Sequence, residues 1–345
     1  MQRTPPALSV STGEASALRW SARMHTNAGF DLDWVARLKQ DVMSEVAKVL
    51  VGNEAAIEAL IIALFAQGHV LLEGVPGTAK TLMVRALATV VGLEFGRIQF
   101  TPDLMPTDVI GSHVFDLRSS TFRLTKGPIF TEVLLADEIN RAPAKTQSAL
   151  LEAMQERQVS IDGVRQPLSD CFVVFATQNP IEHEGTYPLP EAQLDRFMLK
   201  VQVGYPSLEE EDAILARAAE QGSPFGLAQL RPVLSREQLT AARELLARVE
   251  VMSDVRAYIR DLLRATRSSG LIMLGAGPRA GVHLVSAARW AALLSGRTFV
   301  TPDDVRRMRN PVLCHRLQLA PEVELDGHTP ADIMDRVAST VAVPR

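Results

Sequence analysis

The chain has 345 residues, long enough for two domains, and is 47% hydrophobic and 22% charged, an ordinary balance for a folded protein. Its 36 lysines and arginines stand against 40 aspartates and glutamates, a net charge of −4, so no global basic field points to nucleic acid. Cys171 and Cys314 lie far apart and the seven histidines are scattered, which excludes a disulfide framework or a Cys/His metal motif and suits a reducing cytoplasm.

Residues 1–30 mix Pro, Ser, Thr and Ala without the apolar core of a signal peptide and are expected to form a flexible tail. Trp34, Val35, Leu38, Val42 and Val46 share one helical face, which predicts a helix over 32–50. Past Val51-Gly52, Asn53 reads as the N-cap of a second helix reaching Gln67. Its apolar run contains Glu58 and is too short to span a bilayer. A strand over 68–73 precedes a glycine-bearing loop and a helix over 82–91; a short strand follows at 95–100. Alternation at 114–117 and 122–124 around Ser119-Ser120 predicts a hairpin, and Asp162-Gly163 marks the turn of a second one. Strands are also expected over 132–136, 171–176 and 197–201, with a helix over 143–156. Strands alternating with helices predict an α/β core with a parallel sheet over 31–204. After Gly204-Tyr205-Pro206 the pattern turns helical, at 208–220, 235–249, 254–268, 279–295 and 302–308. Residues 205–345 are therefore expected to form a small all-helical domain.

The stretch Gly74-Val75-Pro76-Gly77-Thr78-Ala79-Lys80-Thr81 between a strand and a helix has the layout of a phosphate cradle. Backbone N–H groups and the helix N-terminus face phosphate oxygens, with Leu82 in the first helical turn. Lys80 is expected to reach the β/γ-phosphates and Thr81 to hold Mg²⁺. The strict pattern has glycine before the lysine; Ala79 is acceptable if that position has helical φ/ψ and disabling if it needs a positive φ. Asp137, at the end of the apolar strand, is placed to reach the same Mg²⁺, and Glu138 to activate the attacking water. Asn179 ends a third strand and is a candidate for positioning that water, although an Asn before Pro180 is also an ordinary turn residue. Arg196 reads either as an exposed partner of Asp195 or as an arginine finger entering a neighbouring subunit. Arg279 opens a helix where it could touch the γ-phosphate.

These residues resemble the AAA+ ATPases, and within them the MoxR-type proteins of the helix-2-insert clade. The resemblance is carried by Glu73–Thr81, Ile98–Pro106, Ala136–Gln147 and the stretch from Asn179-Pro180 to Asp195-Arg196-Phe197, and covers about residues 32–345. It implies a P-loop AAA+ core with a parallel sheet and hairpin insertions at about 111–127 and 157–168, followed by the helical lid. It also implies ATP and Mg²⁺ as cofactors, a ring that is usually a hexamer, and backbone of Val51 and Gly52 against adenine. Ala79 before the lysine looks usual for such chains. Arg141 is a further candidate at the subunit boundary. Similar proteins remodel or mature protein partners in a chaperone-like way, with partners carrying von Willebrand factor A domains. The rival readings are a nucleic-acid motor, a metal-chelatase subunit and a nucleotide-gated scaffold. Mild acidity and 5% aromatic residues speak against the first.

Overall fold

The computed structural model describes residues 31–180, 185–221 and 226–344. The tail expected over 1–30 lies outside them. Helix α1 (Leu32–Val46) begins where the Asp31 carboxylate accepts the Trp34 N–H at 2.8 Å, and it buries Val35, Leu38, Val42 and Val46. Helix α2 (Glu54–Ala66) is apolar on every side because both its faces are covered. Asn53 stands at its start, as expected, but makes no side-chain cap: its φ of 57° places it in the left-handed region after Gly52, φ 73°. A Cβ at Gly52 would sit 2.1 Å from the Glu210 carboxylate, so only glycine lets that acid approach.

Five parallel strands form the central sheet: β1 (Val70–Glu73), β2 (Phe95–Gln99), β5 (Val133–Asp137), β8 (Val173–Gln178) and β9 (Leu199–Gln202), in the order β2-β5-β8-β1-β9. Their alternation sorts the core into two layers. Val70, Leu72, Leu135 and Phe175 face α2, helix α3 (Lys80–Val90) and the C-terminal helices; Leu71, Leu134, Val174 and Ala176 face helix α5 (Ala144–Glu156). Helix α4 (Pro106–Ile110) leads into the first hairpin, β3 (Gly111–Asp116) and β4 (Thr121–Lys126); the second is β6 (Gln158–Ile161) and β7 (Val164–Pro167). Both hairpins lie where the alternation predicts them. A 2.6 Å contact between His113 Nδ1 and Asp162 Oδ2 ties one to the other.

A short helix α6 (Glu191–Leu194) precedes β9. Past residue 204 come α7 (Leu208–Gln221), α8 (Arg236–Leu245), α9 (Ser253–Ser268), α10 (Pro278–Leu293), α11 (Pro302–Leu313), α12 (Pro321–Leu325) and α13 (Pro330–Ala338). Helix α11 runs beyond the expected 308, and α13 has no counterpart in the pattern-based reading. The helical lid also carries an antiparallel pair, β10 (Ile272–Leu274) and β11 (Gln318–Leu319), too short for periodicity to reveal. Among the described residues no helix is long and apolar enough to cross a membrane.

This second half does not stand apart from the first. Residues 231–245 run back along the sheet domain: the Arg231 N–H meets Glu45 at 2.8 Å, the Val233 N–H meets the Val90 carbonyl at 2.8 Å, and Arg236 pairs with buried Glu132. Arg243 donates to the Leu64 and Phe65 carbonyls, both at 3.2 Å, satisfying the end of α2. Trp290 of α10 packs on Phe65 of α2 with ring centroids 5.2 Å apart. One apolar cluster therefore runs from α1 through α13.

Candidate nucleotide site

Strand β1 ends at Glu73, and the chain turns through residues 74–79 into α3, whose first residue is Lys80. The Lys80 ammonium folds back onto this turn and donates to the Gly74 and Val75 carbonyls, both at 2.7 Å, while Thr78 Oγ1 donates to the Val75 carbonyl at 2.9 Å. Burial lowers the lysine pKa, and Asp137 and Glu138 pull it the other way. Gly77 has φ +83° with open space around it, so backbone conformation alone requires glycine there. Ala79 has φ 59° and ψ 21°. The conformation judged disabling for alanine is the one it adopts. A Cβ in the left-handed region costs about 1–2 kcal/mol. Packing against the cluster beneath α3 and a 2.9 Å bond from the Met83 N–H to its carbonyl hold it there.

Asp137 closes β5, level with Gln99 on β2. Its Oδ2 accepts from Thr81 Oγ1 at 3.3 Å and from Arg97 at 2.7 and 3.1 Å; its Oδ1 accepts from Thr177 Oγ1 at 2.6 Å. Glu138 is in the left-handed region, φ 57°, ψ 51°, with its N–H donating to Thr177 Oγ1 at 2.8 Å. Thr177 thus fixes both acids from the strand between β5 and β1. The Glu138 carboxylate receives Gln99 Nε2 at 2.9 Å and Arg141 Nε at 3.0 Å. All of these groups except Arg141, with Leu82 and the buried Asn179, line one cavity of about 430 Å³ at the C-terminal ends of the strands. Ligand sites of doubly wound sheets sit at that edge.

Arg196 and Arg279 lie elsewhere. Together with Arg157, Gly68 and His69, the residues just before β1, they line a second cavity of about 200 Å³ at the opposite ends of the strands. Asp195 does not pair with Arg196 as the plainer reading had it; it pairs with Arg279 at 3.2 Å and Arg316 at 2.9 Å.

Comparison with known proteins shows the family of the chain. The profile of the ATPase family associated with various cellular activities matches residues 69–199, and that of the AAA lid domain matches residues 264–337. The chaperone MoxR1 of Mycobacterium tuberculosis is 46% identical over 310 residues, covering 87% of this chain and 81% of that protein. The uncharacterized protein YeaC of Bacillus subtilis is 44% identical over 302 residues, covering 88% and 93%. The chain belongs to the MoxR-type AAA+ ATPases. A crystal structure from Cytophaga hutchinsonii, of a protein taken to be an ATPase, superposes with a TM-score of 0.83 at 39% identity over 91% of this chain and 97% of that one.

Within this MoxR-type site, Gly74 and Val75 serve through their carbonyls, and residues 76–82, Asp137, Glu138 and Asn179 line the cavity. Val51 and Gly52 lie in the α1–α2 connection beside Glu210 and are not among its lining residues. Arg141 belongs, within its own chain, to Glu138. Three contributors escaped the sequence reading: Arg97, Gln99 and Thr177. The signal for the first two is that alternation puts them on one face of β2, and it acquires meaning only once β2 is known to adjoin β5. For Thr177 the available signal was a hydroxyl near the end of an apolar strand, which by itself assigns no role. The Thr81 hydroxyl and the Asp137 carboxylate are hard oxygen donors about one spacing apart. The described residues contain no cluster of three or more His, Cys, Asp or Glu able to cage a metal. That set suits a cation that keeps water and phosphate in its remaining positions, as Mg²⁺ does.

Proposed function

We propose that the chain hydrolyses ATP with Mg²⁺ and uses the cycle to remodel or mature a protein partner, as a cytoplasmic ring, usually a hexamer in this family. The observation that carries this reading is convergence: a phosphate loop with its lysine and a strand-end Asp-Glu pair face one cavity, while two arginines gather at the opposite edge of the same sheet.

Lys80 is held by loop carbonyls and is poised to exchange them for phosphate oxygens. Thr81 and Asp137 would hold Mg²⁺, which when bound neutralises charge on the phosphate oxygens. Arg97 now occupies the Asp137 oxygen nearest Thr81 and must share or vacate it. Glu138 takes the proton of the attacking water. Gln99 and Arg141 hold that carboxylate, so full basicity requires their release. Asn179 orients the water. Arg196 reaches a neighbour's site, and the position of Arg279 beside it supports a neighbour-directed role for that residue as well, in place of contact with its own γ-phosphate.

We place the ATPase core at 31–204 and the lid at 205–345, with residues 231–245 past the boundary yet packed on the core. Backbone of Val51-Gly52 is assigned to adenine by resemblance. The first hairpin exposes Val114, Phe115, Leu117 and Phe122, which suits contact with a protein, and a partner with a von Willebrand factor A domain follows from the family. The test is Glu138→Gln. It should bind ATP as the parent does and release phosphate at least ~100-fold more slowly; near-parental turnover would remove Glu138 from the mechanism.

A further inference from the structure

Arg316 follows α11 and is only 9% exposed despite its charge. All three of its guanidinium nitrogens donate, to five acceptors between them. Nε donates to Asp195 Oδ1 at 2.9 Å and Nη1 to the Val312 carbonyl at 2.7 Å. Nη2 reaches the Phe197 carbonyl at 2.6 Å, the Asp195 carbonyl at 3.3 Å and His283 Nδ1 at 2.6 Å. His283 therefore accepts and stays neutral; burial, with Arg316 beside it, pushes its pKa down to about 4. The next residue up the chain, His315, bonds the Phe197 carbonyl as well, at 3.1 Å.

Two of the three carbonyls that Arg316 holds belong to the residues on either side of Arg196. The carboxylate it holds is the one that fixes Arg279 through its other oxygen, at 3.2 Å. One buried guanidinium thus restrains the backbone beneath one arginine and the ion-pair partner of the other. Stability alone is a poor reason for a buried ion pair, since apolar side chains of similar volume serve as well or better. What arginine adds is direction: a rigid planar fork fixes several acceptors at once, which the single ammonium of lysine does not.

We infer that Arg316 is a positioning residue that sets the geometry in which Arg196 and Arg279 are offered to the neighbouring subunit, coupling the lid to the finger turn. This rests on the reading of Arg196 as neighbour-directed. The site it serves is not its own, and that gives a readout that folding alone would not move. Arg316→Met and Arg316→Lys should each bind ATP within about 3-fold of the parent, while turnover falls at least ~10-fold, a fraction of what an arginine finger contributes. Mixed with Glu138→Gln chains, which are inactive but carry an intact Arg196 turn, both variants should regain phosphate release. Arg196→Ala, mixed in the same way, is the control.

If Arg196→Ala is not rescued, the neighbour-directed reading itself fails. If it is rescued and the Arg316 variants are not, or if they turn over ATP at the parental rate unmixed, the positioning role is overturned. Loss of ATP binding in both Arg316 variants would overturn it too, by reducing Arg316 to a folding residue.

Discussion

His69, at the foot of β1, is 7% exposed and both its ring nitrogens are engaged. Nδ1 accepts the Val174 N–H at 3.0 Å, so Nε2 carries the proton and donates it to the Met154 carbonyl at 3.0 Å. A second proton would break the first bond and charge a buried ring; burial, with Arg157 adding to it, pushes the pKa from 6.5 to about 4. Between those values the unfolded chain binds more protons than the folded one, so stability falls as pH falls from about 6.5 to about 4 and is flat above. The full loss from His69 is about 3 kcal/mol. Urea titrations across that window should show the slope, and His69→Gln, which keeps a donor and an acceptor without titrating, should flatten part of it. An unchanged acid limb in that variant would refute the assignment. At the same scale, Ala79 and Glu138 share a feature that no composition reveals: both sit at positive φ, 59° and 57°, on the two sides of one cavity. Strain kept at such places is held by the surrounding packing.

Among the elements, the hairpins were legible because their alternation and turns are local, and their roots were not. Gly111 opens β3 at φ +95°, where a Cβ would lie 2.3 Å from the Thr125 carbonyl and 2.6 Å from the Gly127 nitrogen. Gly163, in the other hairpin's turn, has φ +81° and nothing within 4 Å. Gly163→Ala should therefore lose only the conformational cost, about 1 kcal/mol, while Gly111→Ala adds a backbone clash at the hairpin's base and should lose more than about 2 kcal/mol. Denaturation midpoints of the two variants check this. Equal losses would mean that φ, and not the crowded root, controls both. The sheet shows the complementary limit. Its strands were readable from apolar runs, but the insertion of β8 between β1 and β5 was not, and with it Thr177 came to fix both acids.

For the whole molecule, one continuous apolar cluster joins the lid to the ATPase core, and the two are expected to unfold as one cooperative unit. Trp290 is 1% exposed and packs on Phe65 in the core helix. Trp290→Ala should cost about 3–5 kcal/mol, and calorimetry should show a single transition moving down as a whole. A lid melting separately, with the nucleotide site still folded, would show that the two halves are stabilised independently. The change of pattern at 204–206 marks a boundary in the sequence, whereas residues 231–245 tie the helical half back to α1, α2 and α3.

Nucleotide chemistry was determined by the sequence alone, because a phosphate cradle is contiguous backbone, residues 74–81, and an acid pair at a strand end is two adjacent residues. Where each arginine points was decided only in three dimensions. Arg97 meets Asp137 across 40 residues of chain, and Arg316 meets Asp195 across 121. Such meetings follow from strand order and helix packing, which depend on the whole core at once and leave no local trace around either partner.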